Sequence, residues 1–104
     1  PTHPFFRQSY DPALTGALID RAKEAGRTGN VPMAVEYISR ALKYDSTNSE
    51  TWYHYGGANF QMGNINEAYR GFNKCLQLNP NNMEARKGLD ALMTRMQQPA
   101  NKQK

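Results

Sequence analysis

The chain has 104 residues, a formal charge of +4 at pH 7, an isoelectric point near 9.4 and a mean hydropathy of −0.83. That length holds a single core, and the low hydropathy suits thin stacked units that bury only their neighbouring faces rather than a compact globule. No apolar run approaches the roughly 18 residues of a membrane span, so no membrane insertion is expected, and one cysteine, Cys75, leaves no internal disulfide framework.

Residues 1–12, PTHPFFRQSYDP, are expected to form an N-terminal extension whose Phe5, Phe6 and Tyr10 fold over the first helix, fill a groove or mediate self-association, with simple disorder as the remaining reading. Leu14, Leu18, Ala22 and Ala25 then recur at intervals of three and four, which predicts a helix over 13–28. Gly29-Asn30 ends it, the glycine permitting a left-handed turn and the asparagine offering an oxygen to the free amides of the next helix. Ala34, Ile38, Ala41 and Leu42 carry a second helix over 31–44, with Pro32 in a first turn that has no use for its missing N–H. Thr47 with Glu50, Asn64 with Glu67, and Asn81 with Glu84 resemble capping boxes that open helices over 48–62, 65–78 and 82–97. The last of these places Ala85, Leu89, Leu92, Met93 and Met96 on one side, as a capping helix would, and residues 98–104 form a polar basic tail. Pro1 stands where a methionine would, so the compartment is left open between cytoplasm and periplasm.

Shifting the sequence by 34 residues superposes Gly29-Asn30 on Gly63-Asn64, Ala34 on Ala68, Leu42 on Leu76, Asn48 on Asn82 and Glu50 on Glu84. Val31 falls on Ile65, Ile38 on Phe72 and Ala41 on Cys75, so size and polarity repeat where identity does not. A fixed period in the range of roughly 20–50 residues signals stacked supersecondary units.

Residues 49–82 resemble a tetratricopeptide repeat, with Trp52, Gly56, Gly63, Ala68, Phe72 and Pro80 at that pattern's positions. Residues 15–48 are a weaker copy with Ser46 in place of the proline, and 83–97 resemble only the first helix of a third unit, with Asp90 at the close-contact glycine. Tyr55, Asn59 and Arg21 also depart from the pattern. The resemblance implies an all-α, right-handed superhelical stack of antiparallel helix pairs, two repeats plus a cap, spanning 13–97.

Chemistry-bearing motifs are missing. His3 and His54 stand far apart with no metal-ligand spacing around them, so no metal is expected. Cys75 occupies the repeat's small buried position, Gly56-Gly57 lies inside a helix rather than a phosphate loop, and no cofactor is expected. Trp52, Tyr53, Tyr55, Phe60 and Tyr69 are divided between core and surface without a dense Lys/Arg stripe, which disfavours nucleic acid. These absences point away from an enzyme.

In the family, the first helix of each pair lines a concave ligand face. Carried over, this implies inward positions at Ile19, Lys23, Arg27, Glu50, Tyr53, Phe60, Gln61, Lys87 and Arg95, with Tyr53 and Phe60 either gripping an apolar ligand residue or packing on neighbouring helices, and Asn59 or Gln61 bonding the ligand backbone. The cations at Lys23, Arg27, Lys87 and Arg95 outnumber Glu50 and Glu84, which favours an acidic peptide or a free C-terminal carboxylate. The family's clamp for chaperone C-termini is not reproduced, because Ile19, Lys23 and His54 replace its Lys and two Asn residues. The expected partner is a protein or peptide, with a homodimer as the alternative and an RNA-associated repeat as the third reading.

Overall fold

The computed structural model describes residues 12–97, so the expected aromatic extension, apart from Pro12, and the basic tail at 98–104 lie outside the described residues. Five α-helices follow one another: α1 (Pro12–Arg27), α2 (Val31–Tyr44), α3 (Ser49–Met62), α4 (Ile65–Leu78) and α5 (Met83–Met96). They lie within one or two residues of the helices that periodicity predicts. α1 packs antiparallel on α2 and α3 on α4, α2 and α3 join the two pairs, and α5 closes the stack against α4 with a smaller contact to α3. The architecture is all-α: two tetratricopeptide-like helix pairs and a capping helix.

The turns explain the breaks. Gly29 and Gly63 have φ of 87° and 82°, a left-handed conformation that costs other residues steric strain, and each ends the first helix of its pair. Asn30 caps α2 by accepting from the Met33 N–H. Asn64, its counterpart, makes no side-chain cap; its Nδ2 donates to the Asn59 side-chain oxygen at 3.0 Å, which turns the side chain toward Asn59. The residue 34 positions before Asn59 is Ala25, which offers Asn30 no such bond. The other two caps lie one residue beyond the expected Thr47 and Asn81: Asn48 accepts from the Glu50 and Thr51 N–H groups, and Asn82 from Ala85 N–H. Thr47 is held by Asp45, and the Asn81 N–H donates to Asn79.

Two apolar clusters form the core. Ala22, Ala25, Ala34 and Ile38 fill the α1–α2 contact, while Trp52, Ala68, Phe72, Cys75, Ala85 and Leu92 fill the contacts of α3, α4 and α5; Leu42 and Tyr55 pack against both. The larger side chains gather in the second cluster, where burying a residue such as Phe72 contributes about 2–3 kcal/mol. α3 and α4 approach closely: a Cβ on Gly71 would lie 2.5 Å from the Gly56 nitrogen, and one on Gly56 would lie 2.7 Å from the Phe72 ring. On the other side, a Cβ on Gly88 would lie 2.6 Å from the same ring. It is Gly88, not position 90, that lets the capping helix close on Phe72. Ala85 and Leu92 of that helix are fully buried, but Met93 and Met96 are 44% and 55% exposed, because no further described helix follows α5 to cover them.

Candidate functional site

α1 and α3 are the first helices of their pairs and run in the same direction, so their N-terminal halves face each other and so do their C-terminal halves. Each facing pair of halves lines a cleft. One, of about 180 Å³, is bounded by Thr15, Gly16, Ile19 and Asp20 of α1, by Glu50, Thr51 and His54 of α3, and by Asp45 and Asn48 between the pairs. The other, of about 220 Å³, is bounded by Ala22, Lys23 and Gly26 of α1, by Tyr53, His54, Gly57, Ala58 and Gln61 of α3, and below by Ala34 and Ile38 of α2. The clefts stay open because three helical positions carry no side chain. A Cβ on Gly16, Gly26 or Gly57 would meet nothing within 4 Å.

His54 is common to both walls. Its Nε2 is buried and has no hydrogen-bond partner, the one such side-chain atom among the described residues. Burial pushes its pKa below the usual imidazole value, the charge on Lys23 pushes the same way, and Glu50 opposes both. The imidazole is therefore neutral at physiological pH. Tyr53 lies beside it, with ring centroids 5.5 Å apart, and leans on Phe72 at 6.1 Å, so the groove wall rests on the core.

Charge is divided along the groove. The N-terminal cleft carries three carboxylates, Asp20, Asp45 and Glu50, and no Lys or Arg; the C-terminal cleft carries one cation, Lys23, and no carboxylate. Asp45 is mostly buried and already accepts from the Thr47 N–H at 2.9 Å and hydroxyl at 2.6 Å.

A tetratricopeptide-repeat family model matches residues 49–82. Over that stretch the chain is similar to a tetratricopeptide repeat. A solved chain described as "First TPR of Spaghetti (RPAP3) bound to HSP90 peptide SRMEEVD" is similar over 85% of this chain and 97% of that one, with 16% identity and a TM-score of 0.46.

The matched repeat supplies α3 and α4, and with them the Tyr53–Gln61 wall. Of the eight expected contact residues, Lys23, Tyr53 and Gln61 come together in the C-terminal cleft. Asn59 must be withdrawn: it is 2% exposed, its amide donates to the Tyr55 carbonyl at 2.9 Å, and its oxygen accepts from Asn64, so a ligand cannot reach it. Phe60 packs against the second core cluster, away from both clefts, with the Arg95 guanidinium 5.5 Å from its ring centroid. The expected joint grip of Tyr53 and Phe60 therefore does not form. Arg27 is exposed and paired with Glu24 one turn back, and Lys87 is exposed on α5; neither lines a cleft.

The residues missed are His54 and the bare glycines Gly16, Gly26 and Gly57. Gly26 and Gly57 did leave a signal, since glycine inside a helix is unfavourable unless something requires the space.

Proposed function

We propose that this chain is a non-enzymatic protein-interaction module that docks a peptide segment of a partner along the α1/α3 groove, as an adaptor or assembly factor. The observation that carries this is the pair of clefts walled by helical glycines. Three positions that would each gain stability from an alanine leave backbone bare beside a half-buried imidazole whose Nε2 has no partner and an exposed lysine. Bare helix backbone lets an extended peptide approach closely. Tyr53 supplies a flat apolar wall, and Gln61, which has both donors and an acceptor, can bond the peptide's own amides. The division of charge favours a peptide of mixed sign, with an acidic group toward Lys23 and a basic one toward Asp20 and Glu50, in place of a uniformly acidic ligand.

The test is selection of a phage-displayed random-peptide library on the full chain, followed by fluorescence anisotropy of an enriched peptide. Gly57→Leu places a side chain in open space and is expected to weaken that peptide at least tenfold while the thermal melt is retained. Undiminished binding to a folded Gly57→Leu protein would rule out the groove as the docking site.

Self-association is the second reading, favoured by the exposed apolar surface of Met83, Met93 and Met96, which are 62%, 44% and 55% exposed at the end of the stack. Light scattering across a hundredfold concentration range separates the two, since a monomer throughout removes the self-associating scaffold.

A further inference from the structure

A further depression, of about 310 Å³, is formed between α2, α3 and α4 and shares no residue with the two α1/α3 clefts. Ser39, Leu42 and Lys43 of α2, Ser46 of the following turn, Trp52 and Tyr55 of α3, and Arg70 of α4 line it. A helix turns about 100° per residue, so Trp52 and Tyr55 lie on the side of α3 away from Gly57 and His54. The indole is fixed by its own hydrogen bond, Nε1 donating to the Ser46 carbonyl at 2.9 Å. Over that ring stand two cations, the Arg70 guanidinium at 5.4 Å and the Lys74 ammonium at 5.8 Å from the centroid.

The charges here do not balance. Arg40 is paired with Glu36 and Arg70 with Glu67, each at 3.2 Å, and Glu67 also accepts from the Tyr55 hydroxyl at 2.6 Å. Lys43 and Lys74 have no carboxylate partner among the described residues. Glu67 offsets the Arg70 charge, while Lys74 over the same ring and Lys43 in the depression keep theirs. A bound anion would neutralise them.

We propose that this outer face is a second docking site, for an acidic segment of a partner polypeptide: one carboxylate joins Lys43 to the Lys74 and Arg70 pair, and an apolar neighbour in the segment rests on Leu42 where it lines the depression beside the buried Trp52. An acidic polypeptide fits better than a nucleic acid. Lys43 and Arg70 line one depression and Lys74 stands over the same indole, Arg40 and Arg70 are already met by Glu36 and Glu67, and Leu42 and Trp52 lie among the lining, so the free cations are few and clustered and offer no continuous track for phosphodiesters. The protein is thereby equipped to hold two segments at once, one on each side of α3.

Trp52 is the sole tryptophan of the sequence, so its intrinsic emission reports this face directly. The full chain is titrated with hexaglutamate at low salt, with hexaglutamine as the uncharged control. Hexaglutamate is expected to change Trp52 emission saturably. Lys43→Glu/Lys74→Glu, which alters two exposed residues and is checked by thermal melt, is expected to weaken that response at least tenfold. Lys23→Glu, in the other groove, is expected to leave it within twofold. No saturable change with hexaglutamate, an equal response to hexaglutamine, or an equal loss in Lys23→Glu would overturn the proposal. So would tighter anisotropy binding of fluorescein-labelled hexathymidylate than of labelled hexaglutamate, since it would give the patch to nucleic acid.

Discussion

Glycine serves opposite purposes at the α3–α4–α5 seam and in the α1/α3 groove. Gly56, Gly71 and Gly88 are glycines because a Cβ there would occupy space already taken by backbone or by the Phe72 ring, and the absence of a side chain is what brings three helices together. Gly16, Gly26 and Gly57 have nothing within 4 Å of that position. Packing explains the first set and gives no reason for the second. A helix that carries glycine without needing it for contact has given up stability to keep a surface bare, and the proposed docking groove rests on that difference.

The largest effect is expected at the seam. Phe72, 2% exposed, fills the space between Gly56 and Gly88, and Phe72→Ala should cost about 3–5 kcal/mol, measured by urea unfolding. A loss under about 1 kcal/mol would mean that α5 closes onto α4 without the ring. Next comes Gly71→Ala. The new methyl would meet the Gly56 nitrogen at 2.5 Å and the Trp52 carbonyl at 2.9 Å, atoms that no rotamer change can move. The two helices must separate, at a cost of about 1–3 kcal/mol. The same substitution in the groove should have the opposite sign. Gly57→Ala is expected to add up to about 1 kcal/mol, or roughly 4–8 °C in melting temperature, while weakening a groove-bound peptide. If Gly57→Ala destabilised the fold, the distinction between the two sets of glycines would collapse.

The sequence carried the fold further than it carried the groove. A 34-residue period survives substitution at any one position, and so do the apolar intervals of three and four, which is why five helices were legible to within a residue or two. The caps slipped by one residue at Asn48 and Asn82 because each follows another polar residue able to cap, and only the backbone geometry chooses between them. Asn59 was misassigned for a similar reason. An amide suits both a ligand contact and a buried tie, and its partner Asn64 is five residues away on the far side of the Gly63 turn. His54 stood in the sequence at a clamp position of the family, in place of an asparagine, but was not counted as a contact residue, because its unpartnered Nε2 and the placing of Lys23 and Glu50 around it are visible only in the fold. Counting cations along the chain likewise could not show that Arg27 and Arg95 are engaged by Glu24 and Phe60, outside the clefts.

The smallest expected effect separates the two regions by pH. At the seam, the Tyr55 hydroxyl bonded to Glu67 holds that carboxyl below its usual value of 4.5, while burial and the same bond raise Tyr55 above 10.0. Neither titrates between pH 5.5 and 7.5. In the groove, burial holds His54 below the ordinary imidazole value of 6.5, so as pH falls through that value the unfolded chain takes up the proton before the folded one does. The stability contributed by neutral His54 is therefore fully present above about pH 6.5 and is lost progressively as pH falls toward the folded pKa. Melting temperature should drop more between pH 7.5 and 5.5 in the native chain than in His54→Gln. Lys23→Met should narrow that difference, because Lys23 helps to depress the pKa, and Glu50→Gln should widen it, because Glu50 opposes the shift. Identical slopes for the native chain and His54→Gln would mean that the imidazole is no more buried than in the unfolded state, and the groove would lose the polar group at its centre.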